Sequence, residues 1–80
     1  MLKSINKFIK NNEFSINILE NLININNFID IIILESDKIV LKIPSGFLKI
    51  TGNDLIIKKL LDSELLITGT IKSLEFRDND

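Results

Sequence analysis

Polar and apolar positions divide this chain into two regimes. Near the start, Leu2, Ile5 and Ile9 recur at i, i+3 and i+7 with Phe8 beside them and Lys3, Lys7 and Lys10 between. That is the spacing of one helical face, so it predicts a short amphipathic helix ending at Asn11-Asn12. About ten residues of helix are marginal alone in water, so the segment is expected either to cover the body of the protein or to dock on a membrane surface or partner. From Ile16 onward the period becomes two. Ile16–Ile18 and Leu22–Ile25 form short runs, Phe28–Leu34 a stronger one, and Glu35-Ser36-Asp37-Lys38 a polar turn before Ile39–Ile43. Pro44-Ser45-Gly46 closes that strand, because proline lacks a ladder donor and glycine permits positive φ. Phe47–Thr51, a turn at Gly52-Asn53-Asp54, and Leu55–Leu60 follow. A last run from Glu64 to Phe76 slips phase between Ile71 and Leu74, which predicts a bulge or bend after Gly69.

Two phrases repeat: Leu48-Lys49-Ile50-Thr51-Gly52 returns as Leu65-Leu66-Ile67-Thr68-Gly69, an offset of 17 residues. Alternation places Ile39, Leu41, Ile43, Leu48, Ile50, Leu55, Ile57, Leu65 and Ile67 on one apolar face, the expected core. The opposite face mixes Val40, Phe47, Ile56 and Leu66 with Lys38, Lys42, Lys49, Lys58 and Thr68. A solvated face carries fewer large apolar groups, so Phe47, Ile56 and Leu66 are the candidate interaction face, covered by the N-terminal segment or by a partner. The predicted fold is all-β: a small twisted antiparallel β-meander, or alternatively a short β-solenoid-like stack, with a short N-terminal helix. Residues 1–14 form the lead-in, 15–77 the β-rich domain and 78–80 an acidic tail. Gly46, Gly52 and Gly69 are assigned to turns or bends.

Composition narrows the function classes. Eighty residues make one small domain, a size at which stability is marginal. With no cysteine and no histidine, neither a disulfide nor a structural zinc site is available, and self-association is the remaining aid. The same absences remove the Ser-His-Asp arrangement and the thiol nucleophile, and the three glycines form no phosphate-binding fingerprint. Catalytic residues, cofactors and metal ligands are therefore all predicted to be none. Glu35/Asp37, Asp62/Glu64 and Asp78/Asp80 read as solvated turn and tail carboxylates. A formal net charge of −1 gives no pull toward a polyanion, and no nucleic acid or small-molecule substrate is expected. The longest apolar stretch, Phe28–Leu34, is interrupted by Asp30 and falls short of the ~20 residues that span a bilayer. The start has no signal-peptide pattern, so export is not expected. Abundant asparagine, isoleucine and lysine, with no alanine, match AT-rich codon usage.

Several phrases in order carry a resemblance: Ile25-Asn26-Asn27-Phe28, Glu35–Ile39, Ser45–Gly52, Leu55-Ile56-Ile57 and Leu66–Phe76. A Gly-x-Leu-x-Ile-x-Gly-x-x-Leu-x-Ile run followed by Ile-x-Gly-x-Ile-x-x-Leu-x-Phe resembles the YabP/YqfC family of sporulation proteins over roughly residues 16 to 76. The basic lead-in favours the YqfC-like branch. Asp30 stands where such members often have glycine, Asn26 replaces a frequent glutamate, and the proline-bearing phrase ahead of the first strand is missing. The resemblance implies a non-catalytic structural or assembly factor of endospore formation. It implies a cytoplasmic place in the mother cell, peripheral at the forespore membrane, and a homo-oligomer or a YqfD-type membrane-associated partner. A generic β-sheet adaptor unrelated to sporulation is the alternative.

Overall fold

The computed structural model describes residues 13–78. They form six strands: β1 (Ser15–Leu19), β2 (Leu22–Asn26), β3 (Asp30–Leu34), β4 (Lys38–Ile43), β5 (Gly46–Leu60) and β6 (Glu64–Asp78). All pairings are antiparallel and the sheet order is β1-β2-β6-β5-β4-β3. The all-β expectation holds, but two parts of the predicted fold are corrected. Antiparallel pairing throughout rules out a solenoid coil. The sheet is also not a simple meander: only β3 to β6 follow one another in space, while the β1–β2 hairpin crosses over to pair with the far side of β6. No helix occurs among the described residues, which corrects the expected helical lead-in as far as it is described: Glu13 and Phe14, the end of the 1–14 lead-in, precede β1 without helical structure, and the predicted helix ending at Asn11-Asn12 lies outside the described residues.

Strands β5 and β6, with 15 residues each, would each extend about 50 Å if straight. They are folded instead. Asn27 N donates to Ser63 O (2.6 Å) at the tip of the β5–β6 hairpin, and Ile29 N donates to Lys42 O (2.7 Å) beside the start of β5. Two residues of chain reach only about 7 Å, so the opposite ends of β5 are brought close together. The bend falls where the β5–β6 register shifts, between Thr51/Gly52 and Asn53/Ile56. It divides the sheet into two halves. In one, β4 pairs with the first part of β5 and β3 with β4; in the other, β2 pairs with the first part of β6 and β1 with β2.

The halves repeat each other. Ile39 pairs with Ile50 and Leu41 with Leu48; in the other half Ile23 pairs with Ile67 and Ile25 with Leu65. The repeated phrases thus occupy equivalent strands, each flanked by its own hairpin. At the bend Asn53 pairs with Thr70, residues separated by the same offset as the two phrases, so a local pseudo-twofold axis passes through that pair. The core lies between the halves. Ile39, Leu41, Ile43, Leu48 and Ile50 from one half meet Ile23, Ile25, Leu65 and Ile67 from the other, with Leu55 at the bend and Phe28 on the connection between β2 and β3. Ile57, expected in the core, is only half-buried on the open strand. Burying such side chains contributes about 1.5–3 kcal/mol each, which is the main term holding the halves together.

Two glycines permit the bend. A Cβ on Gly52 would land on the carbonyl oxygen of Thr70, and one on Gly69 would lie 2.5 Å from the carbonyl oxygen of Asp54, at φ +129°. Gly52-Asn53-Asp54 is therefore not a hairpin turn. It lies inside β5, with Asp54 at φ 54°, and the turn chemistry read from these residues serves a bulged corner. Pro44-Ser45 does form a two-residue connection, with Ile43 opposite Gly46 and Gly46 at φ 148°.

Replacing Gly52 or Gly69 with valine should cost about 1–3 kcal/mol or more, because the clash is with backbone rather than with a movable side chain. Urea midpoints of the two variants, compared with the parent, check this. Ile50→Asp should prevent folding, since it buries an unpaired carboxylate, whereas Lys49→Thr, one residue away on the outer face, should leave the far-ultraviolet circular dichroism intact.

Candidate functional site

The outer surfaces of the two halves differ in chemistry. On the β3–β4–β5–β6 half, Phe47 stands between Lys42 on β4 and Arg77 on β6. The Lys42 ammonium lies 4.8 Å from the Phe47 ring centroid, a cation–π contact. Lys49 stands opposite Glu75, and the Thr51 and Ser73 hydroxyls hydrogen-bond across the strands. Val40, Phe47, Lys49, Arg77 and Asp78 line a shallow open depression.

The other half presents amides. Strand β2 points Ile23 and Ile25 inward and Asn24 and Asn26 outward, so alternation turns the asparagines into a polar outer row. Asn26 Nδ2 donates to Asn24 Oδ1 (2.8 Å), and Asn24 Nδ2 donates to Glu64 Oε2 (3.0 Å). Lys59 Nζ lies 3.7 Å from the same carboxylate oxygen. Asn27 adopts φ 65°, a conformation asparagine tolerates better than most residues, and its Nδ2 donates to Glu13 O (2.8 Å). The asparagines that weaken the strand signal in the sequence thus supply the outer hydrogen bonds of β2 and the turn that leaves it.

The three candidate interaction residues do not form one patch. Phe47 is half-buried on the first half, whereas Ile56, 54% exposed, and half-buried Leu66 lie on the outer side of the second. The bend separates residues that a flat sheet would have aligned. Gly46, Gly52 and Gly69 sit at the β4–β5 connection and on the two sides of the bend. The structure also exposes apolar groups that the alternation assigned no role. Leu60 and Leu61 crown the β5–β6 hairpin tip, and Ile32 and Leu34 lie on β3. Phe76 is 59% exposed although it stands opposite the core residue Leu48. Its signal in the sequence was the long last run, whose second part has one neighbouring strand among the described residues.

Among the described residues no group of three or more His, Cys, Asp or Glu side chains could hold a metal ion. No helix among them is long and apolar enough to cross a membrane. A depression at the hairpin tip, lined by Asn26, Leu60, Leu61, Asp62, Ser63 and Glu64, is likewise shallow and open.

Glu64→Ala should cost about 0.5–1.5 kcal/mol by removing the acceptor of Asn24 at a half-buried site, whereas Lys59→Ala should stay within about 0.5 kcal/mol because its ion pair is solvated. Equal losses in urea titrations would mean that the ion pair, not the amide hydrogen bond, carries the effect.

In comparison with known proteins, the model of the YabP family matches residues 10–80. No significant match was found among curated proteins or among solved structures.

Proposed function

The chain belongs to the YabP family, and from that membership we propose that it is a non-catalytic structural or assembly factor of endospore formation. Its place is the mother cell, at the cytoplasmic side of the forespore membrane, and it acts in the manner of YqfC-like members, paired with a YqfD-type membrane-associated protein. The observation that carries this reading is the family match, which extends over the whole sheet and both repeated phrases. The surface supports it. Large apolar side chains are exposed at Ile18, Leu19, Ile32, Leu34, Leu60 and Phe76, mostly on strands with a backbone edge unpaired among the described residues, the kind of edge where proteins add strands from other chains. Among the described residues the carboxylates lie on turns, edges and the outer surface, where they are suited to solvation and pairing.

Deleting the gene in a spore-forming host should lower the yield of heat-resistant spores without changing vegetative growth, and a fluorescent fusion should collect around the forespore after engulfment begins. Unchanged spore counts together with constant expression in growing cells would overturn the reading in favour of a general β-sheet adaptor.

A further inference from the structure

The pseudo-twofold fold has two equivalent open edges, the far part of β5 and the far part of β6, and their sequences treat them differently. On β5, Leu55 N already donates to Ser36 O (2.8 Å), the register shifts between Ile57 and Lys59, and Lys58 and Lys59 occupy the edge. Bulges and lysines are the usual protection against strand addition. On β6, pairing with β2 stops at Thr68, so from Thr70 to Asp78 one side of the strand has no partner among the described residues. Its other side runs in unbroken register with β5 from Ser73 to Asp78. Lys72 stands at the register shift beside the bend, but from Ser73 to Asp78 there is no bulge, no lysine and no proline. The β1 edge is short and uncharged, and β3 carries its own register shift.

We propose that this part of β6 is the docking strand for a second copy of the chain, paired antiparallel about a twofold axis at Phe76. In that register Phe76 faces Phe76 on the core side, and on the outer side Glu75 faces Arg77 of the partner copy while Arg77 faces its Glu75. Neither Glu75 nor Arg77 belongs to an ion pair among the described residues. Neighbouring registers lose this match. An axis at Glu75 sets two carboxylates against each other, and an axis at Leu74 leaves Glu75 and Arg77 opposite Ser73 and Ile71. Opposite charges directly across a ladder are favourable and like charges unfavourable, so the charge pattern selects the axis. The dimer would join two β3-β4-β5-β6 halves into one continuous sheet and cover Phe76. An interface of one strand pair is small, and its Kd should be on the order of micromolar.

The inference rests on the assembly reading above but fails separately from it. By sedimentation velocity the full chain should dimerise at concentrations up to about 100 µM. Glu75→Arg and Arg77→Glu should each raise the Kd about tenfold, and the double variant should return it to within about threefold, with circular dichroism confirming that all fold. Because the chain has no cysteine, Phe76→Cys should also cross-link to itself under mild oxidation, and Asn17→Cys on β1 and Lys58→Cys on β5 should not. A monomer throughout this range would overturn the proposal. So would single charge variants that bind like the parent, or cross-linking at position 17 or 58 without cross-linking at 76; this last result would leave the assembly reading standing on a different edge.

Discussion

Everything in this fold depends on two places where backbone meets backbone. Gly52 lies against the Thr70 carbonyl and Gly69 against the Asp54 carbonyl, on opposite sides of the pseudo-twofold pair Asn53–Thr70. Without a Cβ at either point, β5 and β6 can bulge together and fold back. With one, they would be driven apart at the corner and toward a straight ribbon. A straight two-stranded ribbon of this length has no independent stability in water. Folding it over creates two inner faces that can bury each other, and the flanking hairpins then complete each half.

The hairpin turns brace that corner. Gly52 N donates to Asp37 O and Leu55 N to Ser36 O, both on the β3–β4 turn, while Gly69 N donates to Asn21 O on the β1–β2 turn. A bend inside a ladder leaves backbone groups without their strand partners, and leaving such groups unpaired costs about 1–3 kcal/mol each where they are buried. Each hairpin therefore does two things: its strand extends the sheet, and its turn satisfies donors that the bend releases. The approximate duplication makes this economical, since one arrangement of phrase, glycine and hairpin turn solves both sides of the corner.

The period-two alternation made most of the core legible. Ile39, Leu41, Ile43, Leu48, Ile50, Leu55, Leu65 and Ile67 are buried as the pattern implied, because a strand's inward positions are a local property. What depended on long-range pairing was not legible. No local feature of β2 says that it joins β6 rather than β3, so the meander expectation failed there. Gly52-Asn53-Asp54 has the residue types of both a hairpin turn and a bulge, and only the pairing of Asn53 with Thr70 tells them apart. The candidate interaction residues failed to converge for the same reason. Phe47, Ile56 and Leu66 share an outer face only if the sheet is flat.

Duplication also explains why an open edge persists. A pseudo-symmetric sheet in which each hairpin covers one part of a long strand necessarily leaves the other part of each long strand uncovered. Length cannot fix this, because a hairpin long enough to cover both parts would have to follow the strand around the corner. The chain must therefore disarm its open edges by sequence, and it has done so on β5 with two lysines and a register shift. The equivalent stretch of β6 keeps one lysine, Lys72, at the register shift beside the bend, but beyond it Leu74, Glu75, Phe76 and Arg77 alternate in regular pairing, the pattern of a strand with one buried face and one solvated face. Its Phe76 is nonetheless left mostly open. Where two equivalent stretches of a repeated fold carry different protection, the less protected one is where the repeat has diverged toward contact with another chain.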